Sequence, residues 1–325
     1  MAMGWKGTLR SVAAASRRAQ REGERRQKLA AKLQQLEDAK NDVDNYETYI
    51  REITSLHKRV CVKPIDWSGL KKQSKPIPPV RTSENEKKAR LKLESFRPNL
   101  FHRLFGLEKK RRENLEKNIQ TGRQMDQDNL LADQKDFEKA LAKYEKDLDH
   151  AKKLEVGDAK TMASIIKNYG KFSDIEHIGT NLSFRFEDGG KVFVDLNVHG
   201  DEIVPDEKYS LRQSGALSER KMPKGEFNLL YQDYVCSAMI RVAREVLNLI
   251  PVTGVVVNAT DQLLNPATGH LEKQNIASVY FVGATLTKLN LQSIDPSDAM
   301  TNFLHKMSFK KTTGFQPVEE VIVPH

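Results

Sequence analysis

The chain has 325 residues, 38% of them hydrophobic and 30% charged, with a formal net charge of +9. That length exceeds one ordinary domain and predicts two structural units, each able to bury its own core. Cys61 and Cys236 stand too far apart in the sequence to suggest a disulfide framework or a metal knuckle; with no apolar run of about 18 residues and no secretory leader, the expectation is a cytoplasmic protein.

The charge is concentrated at the start. Lys6, Arg10, Arg17, Arg18, Arg21, Arg25, Arg26, Lys28 and Lys32 face only Glu22 and Glu24, so residues 1–34 carry +7 and the remaining 291 carry +2. Such an excess predicts a polyanion-binding surface, and Arg10, Arg17, Arg18, Arg21, Arg25, Arg26 and Lys28 are its candidate contacts. Trp5 is the only aromatic side chain nearby, so nucleic acid would be held through phosphates without sequence preference. A solvated helix whose charges keep the chain soluble is the alternative use. Met3-Gly4-Trp5-Lys6-Gly7-Thr8 would fit an N-myristoylation pattern only for a chain starting at Met3, and few large apolar side chains are available for insertion, so a membrane role ranks last.

From Thr8 to about Lys58 the composition predicts one long helix. Leu29, Leu36, Val43, Ile50 and His57 recur every seven residues, with Ala39, Tyr46 and Ile53 three further on, giving a seam of coiled-coil type that needs a partner. Residues 61–82 carry Pro64, Gly69, Pro76, Pro78 and Pro79 and read as an extended connector. Pro76-Ile77-Pro78-Pro79-Val80-Arg81 also has the spacing that aromatic grooves accept, although a stiff spacer accounts for the same residues. Ser83, with Glu86 three residues later, predicts a helix start, and helical composition continues past an interruption at Arg97-Pro98 to about Leu154. Leu130, Phe137, Tyr144 and Ala151 repeat at seven, widened by Leu141 and Leu148, so this helix can face the first in an antiparallel hairpin or pair between chains. Phe96, Leu100, Phe101, Leu104, Phe105 and Leu107 form an apolar patch read as a packed elbow.

Beyond residue 155 the patterns become mixed. A helix over Asp158–Tyr169 precedes two alternating runs, Leu182/Phe184/Phe186 and Val192/Val194/Leu196/Val198, joined by Asp188-Gly189-Gly190, which is a β-hairpin signal. Phe227–Leu249 reads as a helix with Leu229, Leu230, Val235, Met239, Val242, Val246 and Leu249 on its buried side. Two strand-like runs, Val252–Val257 and Ile276–Val282, and a helix from Pro296 to about Met307 follow. The expected fold is thus α+β: a coiled-coil-like helical hairpin, then a compact domain with an antiparallel or mixed sheet. Its divisions are a basic segment and first helix over 1–60, the connector over 61–82, a second helical arm over 83–155 and the globular domain over 156–325.

Phosphate loops, dinucleotide-binding glycine turns and nucleophile elbows are absent from the sequence. Arg241 and Glu245, four apart, read as an exposed ion pair or as the lining of a ligand groove. His199, Asp201 and Glu202, with His177 and His270 elsewhere, match no zinc spacing. Asp195 followed by Pro205-Asp206-Glu207-Lys208 places two acids and a lysine in an arrangement that could hold Mg²⁺ and orient a water. Over residues 158–282 this pattern resembles the restriction-endonuclease-like superfamily, whose αβββαβ core is compatible with the element order. The resemblance implies a Mg²⁺-dependent nuclease with Asp195 and Asp206 on the metal and Lys208 on the nucleophile. The leading expectation is instead a nonenzymatic interaction protein that self-associates into a homo-oligomer, or docks a protein partner, through its helical arm and meets a polyanion with its basic helix.

Overall fold

The computed structural model describes residues 5–98, 107–176, 180–187 and 190–323, with the side chains of 5–23 and of Asp201 outside that description. Residues 100–105 of the apolar patch, His177, and the first two residues of the Asp188-Gly189-Gly190 turn also lie outside it. Two compact units form, one from residues 1–65 with 162–325 and one from 66–161. The first helix therefore groups with the C-terminal half of the chain.

The 66–161 unit holds α2 (Trp67–Lys72), α3 (Glu84–Glu94) and α4 (Glu108–Glu155). Ser83 precedes α3 as expected, but its hydroxyl makes no capping bond. The free N–H groups at the start of α3 are met from α4 instead. Asp126 Oδ1 accepts from the backbone N of Asn85 at 3.1 Å, and Oδ2 accepts from that of Glu86 at 3.0 Å. These bonds hold the Asp126 carboxyl below the usual carboxylate range. The approach is close because residue 122 is glycine: a Cβ there would fall 2.8 Å from the Asn85 carbonyl oxygen.

In the other unit α1 spans Trp5–Thr54 and is followed by a 3₁₀ turn, Leu56–Lys58. Then come α5 (Ala159–Tyr169), α6 (Ser173–Glu176), β1 (Asn181–Glu187), β2 (Lys191–Asn197), α7 (Gly200–Ile203), β3 (Glu207–Leu211), β4 (Leu217–Lys221) and α8 (Lys224–Leu249). The chain finishes with β5 (Gly254–Leu264), β6 (Leu271–Val282), α9 (Gly283–Leu286), α10 (Pro296–Ala299), β7 (Leu304–Lys310) and β8 (Gly314–Gln316). The expected helix after Pro296 is thus only one turn long. It gives way to a 3₁₀ turn and to β7, whose residues Leu304–Met307 pair with β6.

Six strands form one mixed sheet in the order β1-β2-β5-β6-β7-β8, parallel only between β2 and β5. A parallel neighbour requires a long crossover, and α8 lies within it. One sheet face, built from Val192, Val194, Leu196, Val255, Val257, Ala259, Val279 and Phe281, is fully buried. The helix shows matching chemistry: Val235, Met239, Val242, Val246 and Leu249 are all buried, whereas Leu229 is exposed.

The opposite stripe of α8 is polar, with Ser237, Arg241 and Glu245 buried and Arg244 and Asn248 half-buried. All five follow helical spacing and hold the chain leaving α1. Ser237 Oγ accepts from His57 N at 3.0 Å, Arg244 Nη1 donates to His57 O at 2.7 Å, and Asn248 Nδ2 donates to Val62 O at 2.9 Å. Arg241 and Glu245 are no exposed pair: their side chains are 1% and 0% accessible. Arg241 donates to Asp174 at 3.0 Å, to Glu245 at 2.8 Å and to the Lys171 carbonyl at 2.6 Å. Glu245 also accepts from Val62 N at 3.2 Å and Lys171 N at 2.7 Å.

The α1 seam finds its cover within this unit. Ala39, Val43 and Ile53 are buried, Tyr46 stacks on Tyr209 of β3 at 5.6 Å, and Tyr49 donates to the Ile203 carbonyl at 2.7 Å. The part of the seam that is covered meets a β-ribbon, while Leu29 at its start is 60% exposed.

Arg241→Met should leave the fully buried Glu245 without its counter-charge and cost about 3–5 kcal/mol, read as a lowered urea midpoint. His57 is 1% exposed, and burial, reinforced by the Lys58 and Arg244 charges against the opposing pull of Asp295, pushes its pKa down to about 4. The unfolded chain, with a histidine pKa of about 6.5, binds the extra proton first, so this contribution is intact above that pH and is lost as pH falls towards 4. Replacing His57→Gln should flatten the acid limb of the stability curve between those values.

Candidate functional site

The second face of the sheet carries polar groups in one register. Ser183, Asp195, Asn258, Ser278 and Lys306 are successive partners across five strands, so their side chains share that face. Asn258 and Ser278 are buried, at 3% and 0% exposure. Asn258 Nδ2 donates to Asp195 Oδ1 at 3.0 Å and to Glu320 Oε2 at 2.5 Å, while its Oδ1 accepts from Ser278 Oγ at 2.7 Å. The Ser278 hydroxyl in turn accepts from Val321 N at 2.9 Å. Glu320 and Val321 belong to the extended segment after β8, which also donates from Val318 N to the Asn275 carbonyl at 2.8 Å. Val321 packs with Phe193, Val256 and Tyr280, and Arg185 reaches Glu320 at 2.6 Å with its guanidinium 4.2 Å above the Phe193 ring. The row is thus a latch that holds the chain's final segment on the sheet.

A second polar group lies where β2 and β5, the parallel pair, end at their carboxyl edges, the place where open α/β sheets most often present ligands. Asn197 Nδ2 lies 3.0 Å from His199 Nε2, Thr260 Oγ1 donates to Asn197 Oδ1 at 3.4 Å, and the Tyr231 hydroxyl donates to Asp261. Gly200 permits this closeness, since a Cβ there would fall 2.6 Å from the Tyr231 ring.

The structure does not gather Asp195, Asp206 and Lys208 into one ladder. Asp195 is on β2, whereas Asp206 and Lys208 open the separate β3–β4 ribbon, where Lys208 pairs with Glu226 at 2.5 Å. The third strand expected from the endonuclease-like order is therefore outside the main sheet. Among the described residues no three His, Cys, Asp or Glu side chains are grouped as metal ligands.

The basic segment falls on α1. Arg25, Arg26, Lys28 and Lys32 are exposed, as is every residue from Glu24 to Gln35, while the side chains of Arg10, Arg17, Arg18 and Arg21 lie outside the described residues. At 100° per residue, positions 6, 10, 17, 18, 21, 25, 28 and 32 fall within one arc of about 120°, over about 40 Å of helix. Leu29 and Leu33, 60% and 58% exposed, sit beside that arc. Among the described residues no helix is long and apolar enough to cross a membrane.

No family model, curated protein or solved structure matches this chain.

Sequence spacing missed Asn258 and Ser278, which bond each other 20 residues apart and whose other partners, Asp195, Glu320 and Val321, lie more than 40 residues away. A signal was present all the same: each is a polar residue between apolar neighbours, Val257 and Ala259 in one strand and Ala277 and Val279 in the other. Ser278→Ala should strand the Val321 amide and cost about 1–3 kcal/mol. The expected readouts are faster exchange of the Val321 amide and faster carboxypeptidase trimming of the final segment, with the helical circular dichroism unchanged.

Proposed function

We propose that this chain is a nonenzymatic interaction protein that contacts a polyanion through the basic face of α1 and engages a protein partner, or a second copy of itself, through its helices. The observation that carries the reading is the stretch from Glu24 to Gln35, which is helical yet exposed on every side. An isolated helix in water is marginal, so a polar helix kept free over several turns suits a role in which something else is bound. Eight of the nine basic positions fall on one face, the arrangement a row of phosphates would meet. Leu29 and Leu33 extend a stripe that is buried from Ala39 onward, and they supply apolar contact beside the charge. The pattern of seven on α4, where Leu130, Phe137, Leu141, Tyr144 and Leu148 are half-buried, supports coiled-coil pairing as the mode of association.

The test is binding of full-length protein and of a chain lacking residues 1–34 to duplex DNA across a salt series, with anionic vesicles in parallel. If about six phosphates are neutralised, log K should fall against log salt with a slope of about −5, and the truncated chain should lose that dependence. Absence of binding at low salt would remove the polyanion from the proposal. Mg²⁺-dependent cleavage that Asp195→Ala abolishes would replace it with the nuclease.

A further inference from the structure

The two edges of the six-stranded sheet are unlike. β8 is only three residues long, and an edge that short offers little to pair with. β1 is seven residues long, pairs with β2 without a register shift and contains no proline or lysine. The charged residues it carries, Arg185 and Glu187, lie on the face opposite Phe184 and pair with each other, Arg185 also with Glu320, and no bulge twists the strand away. Every second residue of β1 turns its N–H and C=O away from β2, and among the described residues no strand lies on that side.

A groove runs beside this edge, a cavity of about 690 Å³ between β1 and the helices α5 and α6. Its floor is apolar: Leu182, Phe184 and Phe186 alternate along β1 and are half-buried, and Phe172 packs against Phe184 at 5.8 Å. Gly170 sets the position of that floor, because a Cβ there would meet the Phe172 ring at 2.5 Å and the Ile166 carbonyl oxygen at 2.4 Å. Lys167 and Lys171 stand at the lip, both exposed and without an ion pair among the described residues, against a single acid, Glu176.

We propose that β1 and this groove bind an extended, acidic-ended protein segment that adds to the sheet as a further strand. Backbone hydrogen bonds to the free edge supply affinity. Alternate apolar side chains of the incoming segment lie against Leu182, Phe184 and Phe186, and its carboxylates meet Lys167 and Lys171. The surface is separate from α1, so the proposal stands or falls independently of the polyanion reading.

The probe is a labelled peptide, Asp-Glu-Val-Thr-Val-Thr-Val-Glu-Asp, added to the full chain, with a scrambled peptide of the same composition as control. Binding should be at least tenfold tighter than for the scrambled peptide, and it should slow hydrogen exchange at alternate β1 amides. Reversing the lip with Lys167→Glu and Lys171→Glu should weaken it about tenfold. Since both side chains are exposed, unchanged circular dichroism will show that the fold survives. The proposal is overturned by absence of binding, by equal binding of the scrambled peptide, by protection elsewhere than β1, or by indifference to charge reversal.

Discussion

Burial of the Arg241–Glu245 pair is the constraint on which the larger unit depends. A guanidinium and a carboxylate removed from water repay their desolvation only if their remaining donors and acceptors are also met. Here the groups that meet them are backbone atoms and side chains of two other segments: Val62 and Cys61 after α1, and Lys171 and Asp174 around α6. The pair therefore fixes where both segments run. Arg244 and Asn248 extend the same clamp along the helix, binding carbonyls of His57 and Val62. One helix thus organises the unit from both sides, with apolar side chains against the sheet and a polar stripe against the returning chain.

How much of this could be read beforehand depends on whether a feature is local. Alternation located β1 and β2, including the in-register hairpin, and 3.6-residue periodicity located α8 and its apolar side, because burial of one face leaves its mark in contiguous residues. What failed was whatever needed a distant partner. Arg241 and Glu245 look like a surface pair because the carbonyls and amides that bury them lie outside the helix. The helix start at Ser83 was recognised, but its capping carboxylate, Asp126, is some forty residues away. Asp206 and Lys208 fit a short motif by spacing, yet their strand pairs with β4 and carries them out of the main sheet.

The candidate site divides in the same way. Asp195 was legible as a carboxylate on a strand, but its meaning changes once Asn258 and Glu320 are beside it. It then belongs to a row that holds the final segment against Phe193 and Val256. The basic segment was legible as a charge count. The helix adds direction, turning nine scattered residues into a largely one-sided stripe.

The clamp on α8 also sets an order of events during synthesis. Its bonds join residues about 180 positions apart, such as His57 with Ser237 and Cys61 with Arg241. Contacts of that separation form late and slowly, whereas the α3–α4 cap closes over some forty residues. As the chain leaves the ribosome, the 66–161 unit has all its residues available while α1 still waits for its partners. For that interval the apolar seam from Leu36 to Ile53 is uncovered, so the newly made N-terminal half exposes apolar surface until the strands and helix that cover it have been synthesised.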